Sequence, residues 1–361
     1  MKMIKKITAL LLVAVMALML GACHKKNETA VTVDGFKFTS AYYLCALINA
    51  DSEAKTKAQE IAEKDDKIDT SKEDYYYSVK IDKKDYTTWV KDRALEMLKE
   101  IAAYKSKCKG AKLELDEQTK SSAEYYAQAY WSSYGYSQLF EPNGVSFDTY
   151  KAYMLDASYS SLYFDHLYAE GGEKEISKDD LSKQMIENYA LVDMVQVNYS
   201  ELSDDEKAAK KTALEASAEE LKSKKKDFET VYYEYNEKQE ESAEQSTEDA
   251  PVDKLAAIVG KSETNYAFAK IDDVMKMAQD EVQFFDDADS STYYLIVKKD
   301  ISADPYYLKN MDATLRNDIK GDEFKADIEK FAKTLKTDVK KSAIKQFDVK
   351  KIIYPESNTQ A

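Results

Sequence analysis

Tyr126, Tyr130 and Tyr134 recur at every fourth position, which on an α-helix places the three rings on one face. Trp131 and Tyr125 lie beside them, and Tyr136 and Phe140 continue the run. Such a face fits two roles. It can be a wall that binds polypeptides of unrelated sequence, because tyrosine offers a large contact area at low entropic cost and a hydroxyl for exposed backbone. It can equally be a helix–helix core with hydroxyls at its rim. The chain holds 28 tyrosines against 12 phenylalanines and 2 tryptophans, so the same choice recurs elsewhere. At Tyr232-Tyr233-Glu234-Tyr235 and Tyr306-Tyr307, half-buried packing is the simpler reading.

Other chemistry is sparse. The two histidines are His24 and His166, no Cys-x-x-Cys occurs, and so no metal site is expected. The chain has no glycine-rich phosphate loop, and no cofactor is expected. Cys45 and Cys108 both fall in predicted helices, where they fit either a disulfide outside the cell or two small buried apolar positions. The chain is acidic, with 52 basic and 67 acidic residues and a net charge of −15, so nucleic acid is not an expected partner.

The N-terminus carries an address. Lys2, Lys5 and Lys6 precede an apolar run over 7–20, which is shorter than the roughly 20 residues of a membrane-crossing helix and so reads as a processed export signal. The run ends in Leu20-Gly21-Ala22-Cys23, which resembles the bacterial lipobox. That resemblance implies cleavage after residue 22 and a diacylglycerol on Cys23, which would anchor the chain at the extracytoplasmic face of the membrane.

The tyrosine face must be positioned by helices, and the sequence has many. Nine glycines and 4 prolines among 361 residues favour long helices over tight turns. Residues 31–38 alternate as a strand around an Asp34-Gly35 turn, and a helix follows with Tyr43, Leu44, Leu47 and Ile48. The polar stretch 51–85 reads as a loop or insertion. Helices are predicted over 86–109, 116–134 and 147–169, the last with Tyr150, Met154, Ala157, Ser161, Phe164 and Tyr168 on a buried face, and a shorter one over about 176–189. Residues 191–199 alternate at period two and predict a strand. A polar helix over 203–235, a disordered acidic loop at 236–253, a short helix over 271–279 and a strand over 292–297 complete an α+β unit. Phe324, Ile328, Phe331, Leu335 and Val339 then form an apolar helical stripe that needs a partner, and the N-terminal helices are the obvious one. The segment 347–354 reads as a strand able to pair near Val31.

This order resembles the PrsA/SurA family of extracytoplasmic foldases, in which a helical chaperone domain is split by an inserted parvulin-type peptidyl-prolyl isomerase domain. The similar pieces are 31–48, Phe147-Asp148-Thr149-Tyr150-Lys151, 176–189, Asp227-Phe228-Glu229 through Tyr235, and Glu281-Val282 with Tyr293-Tyr294-Leu295-Ile296-Val297. The resemblance implies an α+β chain: signal at 1–22, helical chaperone domain at 23–190, parvulin-like domain at 191–301 containing the loop 236–253, and a C-terminal helical segment at 302–361 packing on the N-terminal domain. The family's two parvulin histidines fall at Val195 and Tyr294 here, so no catalytic residue is assigned. Proline isomerisation must lower a barrier of about 18–20 kcal/mol, and losing those side chains removes the polar half of such a pocket.

The function these features imply is a lipid-anchored chaperone or foldase whose partners are unfolded or newly exported polypeptides, with Tyr126, Tyr130, Trp131 and Tyr134 as candidate client contacts. Two alternatives stand: an active isomerase with an atypical pocket, and a surface lipoprotein that binds a defined ligand. Replacing Cys23 with serine (C23S) is expected to abolish incorporation of labelled fatty acid and to release the protein from the membrane. Equal incorporation by the variant would remove Cys23 from that role.

Overall fold

The computed structural model describes residues 27–236, 254–261 and 266–355. The expected signal at 1–22, Cys23, His24 and nearly all of the acidic segment 236–253 lie outside them. The chain is α+β and divides into two compact units: a helical one that runs to Leu167 and resumes at Glu323, and an inserted one, Tyr168–Asp322.

The chain opens with the hairpin β1 (Thr29–Val33) and β2 (Phe36–Thr39), turned by Asp34 and Gly35 at φ of 50° and 86°. Thr39 then caps α1 (Ser40–Ala62), its hydroxyl accepting from the Tyr42 N–H at 3.2 Å. The helix runs well into the stretch expected as a loop. Ala50, Ala54, Ala58 and Ala62 recur every fourth residue and are all buried, so a thin stripe of small side chains holds a helix whose other faces are charged. A 3-10 turn (Tyr75–Ser78) and the short hairpin β3 (Lys80–Ile81) and β4 (Lys84–Asp85) lead into α2 (Tyr86–Gly110). Trp89, Val90, Ala94, Leu98 and Ala102 of α2 share one core with α1. Cys45 and Cys108 are free and buried, and burial pushes the Cys108 thiol up to about 11, so they act as small apolar core residues. The helices α3 (Glu117–Ser132), α4 (Tyr136–Asn143) and α5 (Phe147–Tyr168) follow.

The inserted unit begins with α6 (Lys178–Asn188), which leads directly into β5 (Tyr189–Asn198). The polar helix expected over 203–235 is two helices, α7 (Asp204–Lys222) and α8 (Phe228–Tyr235), because Lys224 turns the backbone at φ 54°. Then come β6 (Ala256–Gly260), α9 (Ile271–Lys276), β7 (Val282–Asp287) and β8 (Thr292–Lys299). These strands form one antiparallel sheet in the order β6-β5-β8-β7. The sequence reading found β5 and β8 but neither outer strand, since β6 is a bare five-residue apolar run and β7 ends in two aspartates. Gly260 is required where β6 meets β5: a Cβ there would lie 2.5 Å from the Tyr189 ring. The unit extends beyond the expected 191–301. Leu181 and Met185 of α6 are buried in it, and the Tyr189 hydroxyl donates to Asp318 beyond the last strand.

The chain returns through α10 (Pro305–Thr334), β9 (Thr337–Val339) and α11 (Lys341–Ile344). In the helical unit Phe324 packs on the rings of Tyr104, Tyr163 and Phe164 at 5.8, 6.0 and 5.1 Å, and Ile328 is buried. The helix stops before Leu335. Val339, expected as the end of the helical stripe, instead pairs with Val31 in the register of β9 on β1, while the expected strand 347–354 forms a 3-10 turn at Val349–Lys351. The three-residue β9 sits between a helix end and another helix, so no alternating pattern marks it.

One polar node locks this return. Asp51 of α1 is fully buried, and its carboxylate accepts from the Tyr86 hydroxyl at 3.0 Å and from the Tyr354 hydroxyl, with Lys55 at 3.4 Å. Burial, reinforced by the Asp51 charge, raises both phenols far above their ordinary range, so both remain donors. Lys55 also lies over the Tyr354 ring, 3.1 Å from its centre. Replacing Asp51 with alanine is expected to destabilise the helical unit by about 3 kcal/mol or more, and Tyr354→Phe by about 1 kcal/mol, in urea unfolding followed by circular dichroism. A loss below about 1 kcal/mol for D51A would show that the node does not hold the return.

Candidate functional site

Two places merit attention as sites: the tyrosine face of α3 and the sheet of the inserted unit. On α3, two stripes run side by side. Ala123, Ala127 and Trp131 are buried, whereas Tyr125 and Tyr126, and Tyr134 just past the end of the helix, are 70%, 56% and 71% exposed. Trp131 therefore does not belong to an exposed client wall. It is packed by Phe140 at 6.3 Å, Phe147 at 5.6 Å and Tyr150 at 5.5 Å, which joins α3, α4 and α5 in one aromatic cluster. One step along a helix turns a side chain by about 100°, so adjacency to Tyr130 in sequence put Trp131 on a different face. Tyr130 is half-buried, stacked on Tyr136 at 5.5 Å and tilted against Tyr134 at 5.3 Å.

Tyr126 and Tyr130 open onto a groove of about 630 Å³ between α3 and α5. Its α3 wall is completed by Thr119, Ser122 and Ala123, and its α5 wall includes Met154, Ala157, Ser158, Ser161 and Leu162, with Asp116 and Asp165 also in the lining. Met154, Ala157 and Ser161 were expected to bury their face in a core. Met154 does pack at the edge of the core, whereas Ala157 and Ser161 line the groove, which the small side chains of Thr119, Ser122 and Ala123 on the α3 wall do not fill. The sequence did carry a signal: alanine and serine faced alanine and serine on two helices with few large side chains between them. Tyr134 lies outside this lining, beyond the Tyr130 ring.

The groove is electrostatically one-sided. Among the described residues its lining has two carboxylates and no lysine or arginine. The Asp116 carboxyl caps α3, and the Thr119 N–H that it accepts at 2.6 Å holds it below the usual carboxylate range. Lys151, nearby on α5, is held by Glu124 at 3.0 Å. The arrangement suits binding by contact and hydrogen bonding.

In the inserted unit, the positions expected to replace the parvulin histidines do not share a pocket. Val195 packs with Leu214, Val231, Tyr293, Leu295 and Val297 beneath α7 and α8. Tyr294 packs on the opposite face with Val192, Phe285, Ile296 and Val274, near α9. Side chains alternate along a strand, so a shift of one residue exchanges the faces. Gln196 and Phe285 are the register partners of Tyr294, and it is Met194 that packs with the Tyr294 cluster. Phe268 meets the Tyr294 ring edge-on at 5.0 Å. Lys298 donates to the carbonyls of Met275 and Met277 at 2.9 and 2.8 Å, closing the C-terminal end of α9.

No known protein family and no curated protein matches the chain. Among solved structures it is similar to the foldase protein PrsA from Streptococcus pneumoniae str. Canada MDR_19A, with 15% identity and a TM-score of 0.39 over 69% of this chain and 86% of that one. It is also similar to the foldase protein PrsA from Lactococcus lactis, with 14% identity and a TM-score of 0.39 over 88% of this chain and 96% of that one.

The two stripes of α3 predict opposite responses to truncation. Trp131→Ala is expected to cost about 3–5 kcal/mol in chemical unfolding, by emptying the centre of the aromatic cluster. Tyr126→Ala is expected to stay within about 0.5 kcal/mol of the parent, as suits an exposed ring. A large loss for Tyr126 would make it a structural residue and close the case for a binding surface.

Proposed function

We propose that this chain is an extracytoplasmic chaperone of the foldase type, tethered to the membrane by a lipid on Cys23, which holds unfolded segments of exported proteins in the α3–α5 groove. The observation that carries this reading is the groove itself, a long opening with tyrosine rings on one wall and small side chains on both. Such a surface adapts to unrelated sequences, since the rings give apolar area and the hydroxyls meet whatever backbone is exposed. Binding of this kind is weak and reversible and needs no nucleotide.

The inserted unit serves in this reading as a parvulin-like body without the isomerase set. Its support is packing: the face around Tyr294 is occupied by Met194, Phe268, Met275 and Phe285, and Val195 lies in the core of the other face. Distortion of a prolyl amide calls for polar groups aimed at its carbonyl; Val195 carries none, and the Tyr294 ring is buried among apolar neighbours.

The test is refolding of a reduced model protein limited by proline isomerisation, with and without residues 24–361, scoring yield and slow-phase rate separately. The expected result is a higher yield with an unchanged slow phase. A faster slow phase would assign isomerase activity to the inserted unit. No change in either would overturn the chaperone reading in favour of a lipoprotein that binds a defined ligand, for which a small molecule should raise the melting temperature.

A further inference from the structure

The charge of the chain is unevenly spread. The net charge is −15, yet residues 330–351 hold eight lysines against two aspartates. The pairing of β9 on β1 brings that segment to the N-terminal hairpin, with Thr32 opposite Asp338 and Val31 opposite Val339. The ladder continues past both ends of β9: the Asp34 N–H donates to the Lys336 carbonyl at 2.9 Å, and the Lys340 N–H to the Ala30 carbonyl at 2.8 Å. Side chains alternate along a strand, so Val31, Val33, Phe38 and Val339 turn into the helical core. Lys37, Thr32, Asp338, Lys336 and Lys340 then share the outer face, and all three lysines are exposed. Helix α11 adds Lys341 and, at its cap, Lys345, both exposed. Among the described residues, Lys340 alone of these five lysines holds an ion pair, with Glu28.

Resting on the lipid anchor proposed above, we propose that this outer face docks on an anionic lipid surface, the one in which Cys23 is held. Residues 24–26 alone separate Cys23 from Asn27, so a fully extended chain carries Asn27 at most about 14 Å from the lipidated residue. Lys25 and Lys26 lie in that step. Glu28 follows and meets Lys340, so the chain enters the sheet beside its basic face. Attraction to an anionic leaflet acts over a Debye length, about 8 Å at physiological salt, and a tether this short lets the face stay within that reach. The acidic remainder of the chain is repelled by the same surface, so charge turns the body basic face first. Two acyl chains fix where the protein is, and the lysines fix which way it faces.

The test uses the lipidated chain with Lys37→Cys, a donor dye on that thiol, and vesicles of phosphatidylcholine with or without phosphatidylglycerol that carry an acceptor dye on some headgroups. Cys45 and Cys108 are buried and stay unlabelled. Energy transfer is expected to be about twofold or more higher on the anionic vesicles, and to fall to the phosphatidylcholine level in about 500 mM NaCl. K336E with K341E and K345E is expected to remove the increase. K64E with K67E and K72E, exposed positions beyond the far end of α1, is expected to leave it. Equal transfer on the two kinds of vesicle, or an increase that survives K336E/K341E/K345E, overturns the docking and leaves the anchor standing. Loss of the chain from both kinds of vesicle overturns the anchor and the docking together. Preference for soluble poly(glycerol phosphate) over the anionic vesicles assigns the face to an anionic polymer and overturns its lipid partner.

Discussion

A carboxylate buried in a protein interior must be met by donors, and in the helical unit those donors come from places far apart in the chain. Asp51 takes hydroxyls from Tyr86, at the start of α2, and from Tyr354, near the end of the described chain, with Lys55 beside it. Removing any donor leaves charge unsatisfied in a dry site, so the first helices and the last segment are held to one arrangement. A domain interrupted by 155 residues of another unit (Tyr168–Asp322) needs such a closure. It also explains part of the tyrosine excess. Tyr75, Tyr76, Tyr77 and Tyr86 form a contiguous ring cluster around this node, where phenylalanine would fill the volume and supply no hydroxyl.

The groove follows from the same packing economy carried out differently at two ends of a helix. Around Trp131, large rings from three helices fill the space and fix α3. Farther along, Ser122 and Ala123 face Ala157, Ser158 and Ser161, and side chains of that size cannot close the gap between two helices. A rigid anchor beside an unfilled channel gives a surface that is preorganised without being occupied. The ordering cost of the wall is already met on folding, so in the chaperone reading proposed above a client would contribute only its own.

In the inserted unit, a one-residue period decides what the sheet can do. Its two faces bury separate cores, one under α7 and α8 and one against α9, and a strand residue serves one or the other. Val195 and Tyr294 therefore support different layers. Tyr294, Gln196 and Phe285 sit side by side across three strands, which makes the α9 face the coherent surface of this unit.

What the sequence alone determined was whatever is local or periodic. The Asp34-Gly35 turn, α2, the alternation of β5 and β8 and the four-residue interval of Tyr126, Tyr130 and Tyr134 each depend on residues within a turn or two of one another. The α+β class followed from their succession, and the split order from the family resemblance that this succession carries. The rest was decided by contacts between distant segments. Ala50, Ala54, Ala58 and Ala62 continue α1 because another surface lies close enough to bury methyl groups, which composition reads as a polar loop. Val339 became a strand because β1 had a free edge, and Trp131 turned inward because Phe140, Phe147 and Tyr150 converge there. Periodicity says which side chains share a face, but only the partner across that face decides whether it becomes core, sheet or open groove, and that partner lies elsewhere in the chain.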